Sequence, residues 1–360
     1  MPAHLALSIV VPAHNSASTI VESLAAITAS DLPRAAYELI VVDDSSTDAS
    51  AQLAARQADT VVRLSGGPRG PAYTRNRGAE LSRGEIVAFV DPDVIVRPDT
   101  LRRIMATLAE KPTVDAVSAS HCDAHSTANF VSQYWNLLLR FGELRYANDS
   151  ACLASGCDVV RRSAFLAVGM YDEWHFPTAC LEGVELGRRL RERGHRILLI
   201  PELTVTSRRR WTIGSICREV WHRGTLLARS LGYQRTSVAS PSEVVFTLSR
   251  ALAPALGLVG MMTMAAAFLP ERHPLEKLAI ALGVLFVTNI PVHRFYAGAR
   301  GIGFALVVAP LHLFVQGVTA VALCAGWLLR DSVGDQLPDA TIQAYAEVGL
   351  ETWPPIPRRR

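Results

Sequence analysis

Asp91 and Asp93 stand two residues apart, with Pro92 between them, at the end of the apolar run Ile86–Val90. Proline has no N–H to donate, so a strand stops pairing there and leaves both carboxylates at its end. Two hard carboxylates at this spacing suit Mg²⁺ or Mn²⁺, with a diphosphate and water completing the oxygen shell. A solvated turn capping the next helix would use the same triplet, and a lone pair of this kind is not specific. A second acidic pair, Asp43-Asp44, opens the cluster Asp43-Asp44-Ser45-Ser46 after Leu39–Val42. Ser46 alone would cap a following helix, so two adjacent acids exceed what capping needs. Asp44 could accept from a base N–H of a nucleotide. A third cluster, Pro12-Ala13-His14-Asn15, follows Ser8–Val11. His14 offers either an aromatic face for a base or an ordinary surface turn.

The elements that must position these clusters alternate. Strands are predicted over Ser8–Val11, Leu39–Val42, Thr60–Leu64 and Ile86–Val90. Between and after them, Ile20, Leu24 and Ile27 fall at helical spacing, and helices are predicted over Thr47–Gln57, Ala72–Ser82 and Pro98–Glu110. Such alternation calls for an α/β fold, a mainly parallel sheet with helices on both faces. Ligands bind such sheets beyond the C-terminal strand ends, where all three polar clusters fall. The glycine-rich turn at 66–70 lacks the Lys-Ser/Thr ending of a P-loop, and no GxGxxG follows the first strand. Neither a Walker NTPase nor a Rossmann dehydrogenase is supported.

Composition narrows the class. Hydrophobic residues make up 49% of the 360 and charged residues only 19%, lean for a wholly soluble protein. A net charge of +3 is too small to argue for nucleic acid. Six cysteines (Cys122, Cys152, Cys157, Cys180, Cys217, Cys324) form no CxxC pair and read as buried small hydrophobes in a reducing compartment. The first fifteen residues show no signal-peptide pattern, so the soluble part is expected to be cytoplasmic. His121, His125, His175 and His195 show no metal spacing and are assigned no ligand role.

The segments SIVVPAHN (8–15), VDDSS (42–46), GPAYTRNRG (70–78) and GEIVAFVDPD (84–93) resemble, in order and spacing, the motifs of family 2 glycosyltransferases. The likeness continues through Gly156–Gly169, Tyr171-Asp172-Glu173, EGVELGRRLRERG (182–194) and Arg209-Arg210-Trp211, and covers roughly residues 6–225. It implies the GT-A nucleotide-sugar-binding fold. It also implies a sugar donor carried on UDP or GDP, a divalent cation, and inversion at the transferred sugar. By this resemblance Pro12, His14, Asn15, Asp43, Asp44, Arg75, Asp91, Arg210 and Trp211 bind the nucleotide sugar. Asp91 and Asp93 hold the metal, and Arg210-Trp211 closes over the diphosphate. One departure matters. The family places Glu-Asp at the start of a late helix, the Asp being the base; here Glu182 is followed by Gly183. Three accounts stand. Glu182 serves as base, making Glu182 and Asp93 the catalytic residues; the acceptor is an already ionised phosphate; or donor binds without efficient transfer. Glu185 reads as an ordinary helix acid. In residues 120–160, Phe130, Tyr134, Leu137, Leu138 and Phe141 fall at helical spacing and read as core.

The last third is apolar: Ala251–Pro270, Leu278–Val292 and Gly301–Leu329 contain no charged side chain and predict three transmembrane helices. His293–Arg300 is expected as a cytoplasmic loop, carrying Arg294 and Arg300 without an acid. Before the spans, Arg208, Arg209, Arg210, Arg218, Arg223, Arg229 and Arg235 face one acid, Glu219, interleaved with Trp211 and Trp221. That pattern suits a helix lying in a bilayer interface. The expected organisation is a catalytic domain over 1–205, an interfacial segment over 206–245, a membrane region over 246–330 and a flexible tail over 331–360. This predicts a multi-pass inner (plasma) membrane protein with a cytoplasmic catalytic domain and a lipid or polyprenyl-phosphate acceptor. A non-catalytic nucleotide-sugar or lipid-binding membrane protein is the alternative. His312 and Gln316, four apart on the third span, are expected to hydrogen-bond a neighbouring helix.

Overall fold

The computed structural model describes residues 5–122, 129–145, 153, 155–174, 181–232, 276, 287 and 289–329. They fall into two units: an α/β unit drawn from 1–126 and 143–209, and a helical unit drawn from 127–142 and 210–332.

The α/β unit is one eight-stranded sheet in the order β3-β2-β1-β4-β7-β6-β8-β5. Strands β1 (Leu7–Ala13), β2 (Tyr37–Asp43), β3 (Thr60–Arg63) and β4 (Ile86–Val90) are the four read from sequence, each within a few residues. They run parallel, and β1, β2 and β4 are buried along their whole lengths, as their unbroken apolar runs require. The second half departs from a parallel sheet. Strand β7 (Cys157–Arg161) runs antiparallel to both β4 and β6 (Ala116–His121), and β5 (Val94–Val96) runs antiparallel to β8 (Ile197–Ser207). The sheet is therefore mixed.

Helices pack on both faces: α1 (Ile20–Thr28), α2 (Ser50–Ala54), α3 (Pro71–Leu81), α4 (Thr100–Glu110), α6 (Arg162–Ala167) and α7 (Glu182–Glu192). One core cluster joins Ile20, Leu24, Ile27, Leu101, Ile104 and Leu108 to one face of the sheet. A second cluster holds Phe89, Phe165, Tyr171, Leu186 and Leu190. Helix α2 is shorter than the predicted Thr47–Gln57. Asp48 takes the backbone N–H groups of Ser50 and Ala17, so the helix begins only at Ser50.

The helical unit contains most of α5 (Phe130–Arg145), together with α8 (Ile213–Gly232), α9 (Ile290–Arg300) and α10 (Ile302–Leu328). Tyr134, Leu137, Trp211, Ile216, Tyr296, Val308 and Val315 form its core. Residues 293–300, expected as a loop, are instead helical within α9, and Gly301 with φ of 88° ends it. Helix α10 is 27 residues long with a mean hydropathy of 1.9, the one helix among the described residues long and apolar enough to cross a bilayer. Ile302, Leu306, Val307, Phe314, Val321, Trp327 and Leu328 are exposed on it. Inside the unit, His312 hydrogen-bonds Tyr134 (3.1 Å) and Asn289 (3.2 Å), and Gln316 donates to Asn289 (2.8 Å), as the spacing of His312 and Gln316 anticipates. The predicted span Ala251–Pro270, two thirds of Leu278–Val292 and the tail 331–360 lie outside the described residues. Among the described cysteines only Cys157 is buried. Cys324 is exposed on α10.

Candidate active site

The turn carrying Asp91 and Asp93 is pinned from three sides. Asp91 N–H donates to the Gly156 carbonyl at the start of β7 (2.8 Å). Ser23 Oγ, on α1, donates to the Val94 carbonyl (2.8 Å), and Arg208 N–H donates to the Asp93 carbonyl (2.7 Å). A strand-end turn fixed in this way holds its carboxylates in place before any ligand arrives. Gly156 has φ of +76°, and a Cβ there would lie 3.1 Å from Asp91 Oδ2 and 2.9 Å from Val94, so glycine leaves the space beside the carboxylate.

Arg75 organises the centre. From α3 its guanidinium donates to Asp91 Oδ1 (2.7 Å) and to Glu182 Oε1 at the first turn of α7 (2.9 Å). It also lies over the buried Tyr171 ring, 5.5 Å from the centroid. Only 11% of its side chain is exposed. Burial opposes its charge, but Asp91, Tyr171 and Glu182 outweigh that and make the guanidinium hold its proton more tightly than in water.

The carboxyls around it differ from free ones. Burial and the Asp91 charge push Asp93 up to about 6, with the Arg209 charge opposing. Asp158 on β7, not singled out by sequence, is pushed up to about 7, mainly by burial and also by Asp91. The Ser118 hydroxyl at 2.5 Å and the Arg75 charge oppose the shift. His121, at the C-terminal end of β6, places Nδ1 2.5 Å from Glu143 Oε1. Glu143 Oε2 accepts from the Ser120 hydroxyl (2.6 Å) and the His121 backbone N–H (2.8 Å). The Asp93 charge also acts on the His121 ring.

The expected nucleotide-base side lies at the ends of β1 and β2. His14 is exposed; its Nδ1 pairs with the Asp44 carbonyl (2.7 Å) and its Nε2 with the Asn15 amide (3.1 Å). Asn15 also accepts from the Thr47 N–H (2.9 Å), while Pro12 is buried in β1. Asn15 and Ser45 adopt φ of 48° and 56°, a left-handed conformation uncommon outside glycine. Asp44, expected to meet a base N–H, already accepts the backbone N–H groups of Arg69 (2.9 Å) and Gly70 (2.7 Å), tying the glycine-rich loop to β2. A carboxylate has about four lone-pair sites, so acceptor capacity remains. Asp43 lies beside Arg63, 3.4 Å away. An open groove of about 610 Å³ runs along Ser45–Thr47 and Arg63–Gly67.

Two further expected binders fall in the other unit. Arg210 and Trp211 belong to the helical unit. Arg210 is exposed there. Trp211 is buried in that unit's core, its ring 5.6 Å from Trp135 and its N–H donated to Ser132 Oγ (2.7 Å).

The departure at Gly183 has a steric basis. A Cβ at this position would sit 1.6 Å from the Leu153 carbonyl oxygen, so no side chain fits without moving the backbone. Glu185, read as an ordinary helix acid, is buried and pairs with Arg189 (2.5 Å).

Residues 8–169 match the family described as Glycosyl transferase family 2. This stretch is a family 2 glycosyltransferase domain. Succinoglycan biosynthesis protein ExoO of Rhizobium meliloti is 42% identical over 101 residues, 28% of this chain and 28% of that protein. Poly(ribitol-phosphate) beta-N-acetylglucosaminyltransferase TarS of Staphylococcus aureus is 34% identical over 107 residues, 29% of this chain and 19% of that protein. The chain thus matches under a third of the length of either relative. The mannosyltransferase PcManGT of Pyrobaculum calidifontis, solved with GDP-Man and Mn²⁺, superposes with a TM-score of 0.59 at 20% identity, over 91% of this chain and 88% of that one. The likeness fixes the fold as GT-A.

Two outcomes follow for the family 2 domain. Gly183→Ala, and more so Gly183→Asp, will lower the thermal midpoint of the full-length protein, and Gly183→Asp will not raise transfer. A gain in turnover at unchanged stability would refute the close approach to Leu153. Asp158 holds its proton more tightly folded than unfolded, so its contribution to stability is complete below about pH 4 and is lost as pH rises through about 7. Thermal midpoints between pH 4 and 8 are expected to fall less steeply in Asp158→Asn than in the wild type.

Proposed function

We propose that the chain transfers a sugar from a UDP- or GDP-sugar to a lipid or polyprenyl-phosphate acceptor at a membrane, with inversion and with help from Mg²⁺ or Mn²⁺. The observation that carries this is Asp91 and Asp93 held at a pinned strand end, with Arg75 beside Asp91, inside a family 2 domain.

The residues fit a shared cation. Asp91 and Asp93 supply hard oxygens, and Gly156 keeps a side chain away from Asp91 Oδ2. Among the described residues no third acid, His or Cys completes a metal cluster, so diphosphate and water oxygens would fill the remaining positions. A bound cation would offset the charge that builds on the departing diphosphate. Arg75 holds Asp91 in place and adds a fixed positive charge to the site. The groove beside Ser45–Thr47 would take the nucleoside, with the exposed His14 ring at its entrance. Glu182, engaged by Arg75, fits a positioning role better than that of a proton acceptor.

Helix α10, with its exposed apolar side chains, would anchor the chain in the plasma membrane with the family 2 domain on the cytoplasmic side. The acceptor would then share that plane, raising encounters without new contacts. Binding of donor without efficient transfer is the second reading, motivated by Gly183.

One screen tests both. Full-length protein in detergent is mixed with UDP-, GDP- and dTDP-sugars, with and without Mn²⁺, and followed by thermal shift and by release of nucleoside diphosphate. Stabilisation by one UDP- or GDP-sugar, lost with EDTA, together with release in the presence of membrane lipid extract, is expected. Stabilisation without release supports the binding reading, and no stabilisation by any donor contradicts both.

A further inference from the structure

The Gly183 position cannot hold a base, and Glu182 is committed to Arg75. An alcohol acceptor still needs its proton removed as the new bond forms. One other group near Asp93 is built for proton transfer.

His121 is buried at the C-terminal end of β6, on the same side of the sheet's strand ends as the Asp91–Asp93 turn. Its register partner on β8, Val205, also pairs with Val96 of β5, two residues beyond the start of the strand that follows Asp93. Glu143 grips it twice, at Nδ1 (2.5 Å) and at the backbone N–H (2.8 Å), and Ser120 Oγ satisfies the same carboxylate (2.6 Å). A carboxylate on Nδ1 fixes the tautomer with its proton there and leaves the Nε2 lone pair to accept. Nε2 has no hydrogen-bond partner among the described residues. A carboxylate that orients an imidazole in this way is one arrangement in which histidine acts as a base.

We propose that His121, aligned by Glu143, is the proton acceptor for the acceptor hydroxyl, in place of the side chain that Gly183 cannot carry. This rests on the sugar-transfer reading above. In the step, the acceptor O–H breaks and its proton goes to His121 Nε2. The oxygen's electron pair bonds the anomeric carbon, while the anomeric carbon–diphosphate bond breaks and its pair leaves with the diphosphate. The imidazolium then returns the proton to water. Burial disfavours a charged His121, while the Glu143, Asp93 and Asp158 charges favour one, so the ring is a stronger base than a free imidazole and takes the proton only from its neutral form. His121 is the catalytic residue here and Glu143 a positioning residue.

The test uses the full-length protein with UDP-N-acetylglucosamine and GDP-mannose as donors, and a membrane lipid extract as acceptor. Nucleoside diphosphate release is read alongside binding of UDP with Mn²⁺. His121→Ala and His121→Gln should lose ~100-fold in release, with UDP binding within about twofold of wild type. Imidazole added to His121→Ala should restore about tenfold, as it fills the space left and takes the proton. Glu143→Gln should lower turnover without changing UDP binding, and Glu143→Asp should recover part of it. Retention of release within about threefold in both His121 variants, or no rescue by imidazole, would overturn the proposal and point to an ionised phosphate acceptor. Absence of release by the wild-type protein would instead sink the transfer reading, and this proposal with it.

Discussion

The family 2 domain depends on one interaction, the largely buried Arg75 guanidinium held between Asp91 and Glu182 over the Tyr171 ring. Two carboxylates brought together in a poorly solvated site repel each other and favour protonation. Arg75 pairs directly with Asp91. Burial first, and then the Asp91 charge, push Asp93 up to about 6, against the Arg209 charge. The same bidentate contact ties three distant segments together: α3, the β4–β5 turn and the start of α7. A lysine could hold one of these carboxylates but lacks the planar fork that reaches both.

The rest of the centre follows from where β-strands end. β4 stops at Pro92, β1 and β2 stop at left-handed Asn15 and Ser45, and β7 begins at a left-handed Gly156. Each of these interruptions exposes backbone or side-chain polar groups on one edge of the sheet. The strain at Asn15 and Ser45 is held by local hydrogen bonds, Asn15 to Ser46 and Thr47 and Ser45 Oγ to the Leu64 carbonyl. In the helical unit the same economy of buried polar groups appears. Asn289, His312 and Gln316 hydrogen-bond one another, which offsets the cost of burying them.

The parts legible in sequence were those with local periodicity. β1 to β4, and the helices behind them, could be read because continuous apolar runs and helical spacing need no knowledge of the partner strand. The half with mixed strand directions was not legible. β7 pairs with β4 and β6 through residues some 70 and 40 positions away, and β8 contains Pro201, which argues against a strand when read alone. Asp91, Asp93 and Glu182 were visible as motif positions, but the bridge through Arg75 joins residues 16 and 107 positions apart. His121 was visible only as a histidine without metal spacing, since its partner Glu143 lies 22 residues away on the next helix. Gly183 was legible as a departure, whereas its cause, the Leu153 carbonyl, needed the fold. Residues 293–300, charged and flanked by apolar runs, read as a loop; the structure continues the helix through them because Arg294 and Arg300 need not interrupt backbone pairing.

The central claim is that Asp91 and Asp93 together hold a cation that also grips the diphosphate of the donor. Electron paramagnetic resonance of Mn²⁺ titrated into the full-length protein with UDP reads this directly, through loss of the free-ion signal and coupling to the ³¹P nuclei. Wild-type protein is expected to bind one Mn²⁺ with phosphorus coupling only when UDP is present, and Asp91→Asn and Asp93→Asn to lose it while remaining folded. Unchanged Mn²⁺ binding and phosphorus coupling in both variants would contradict the account.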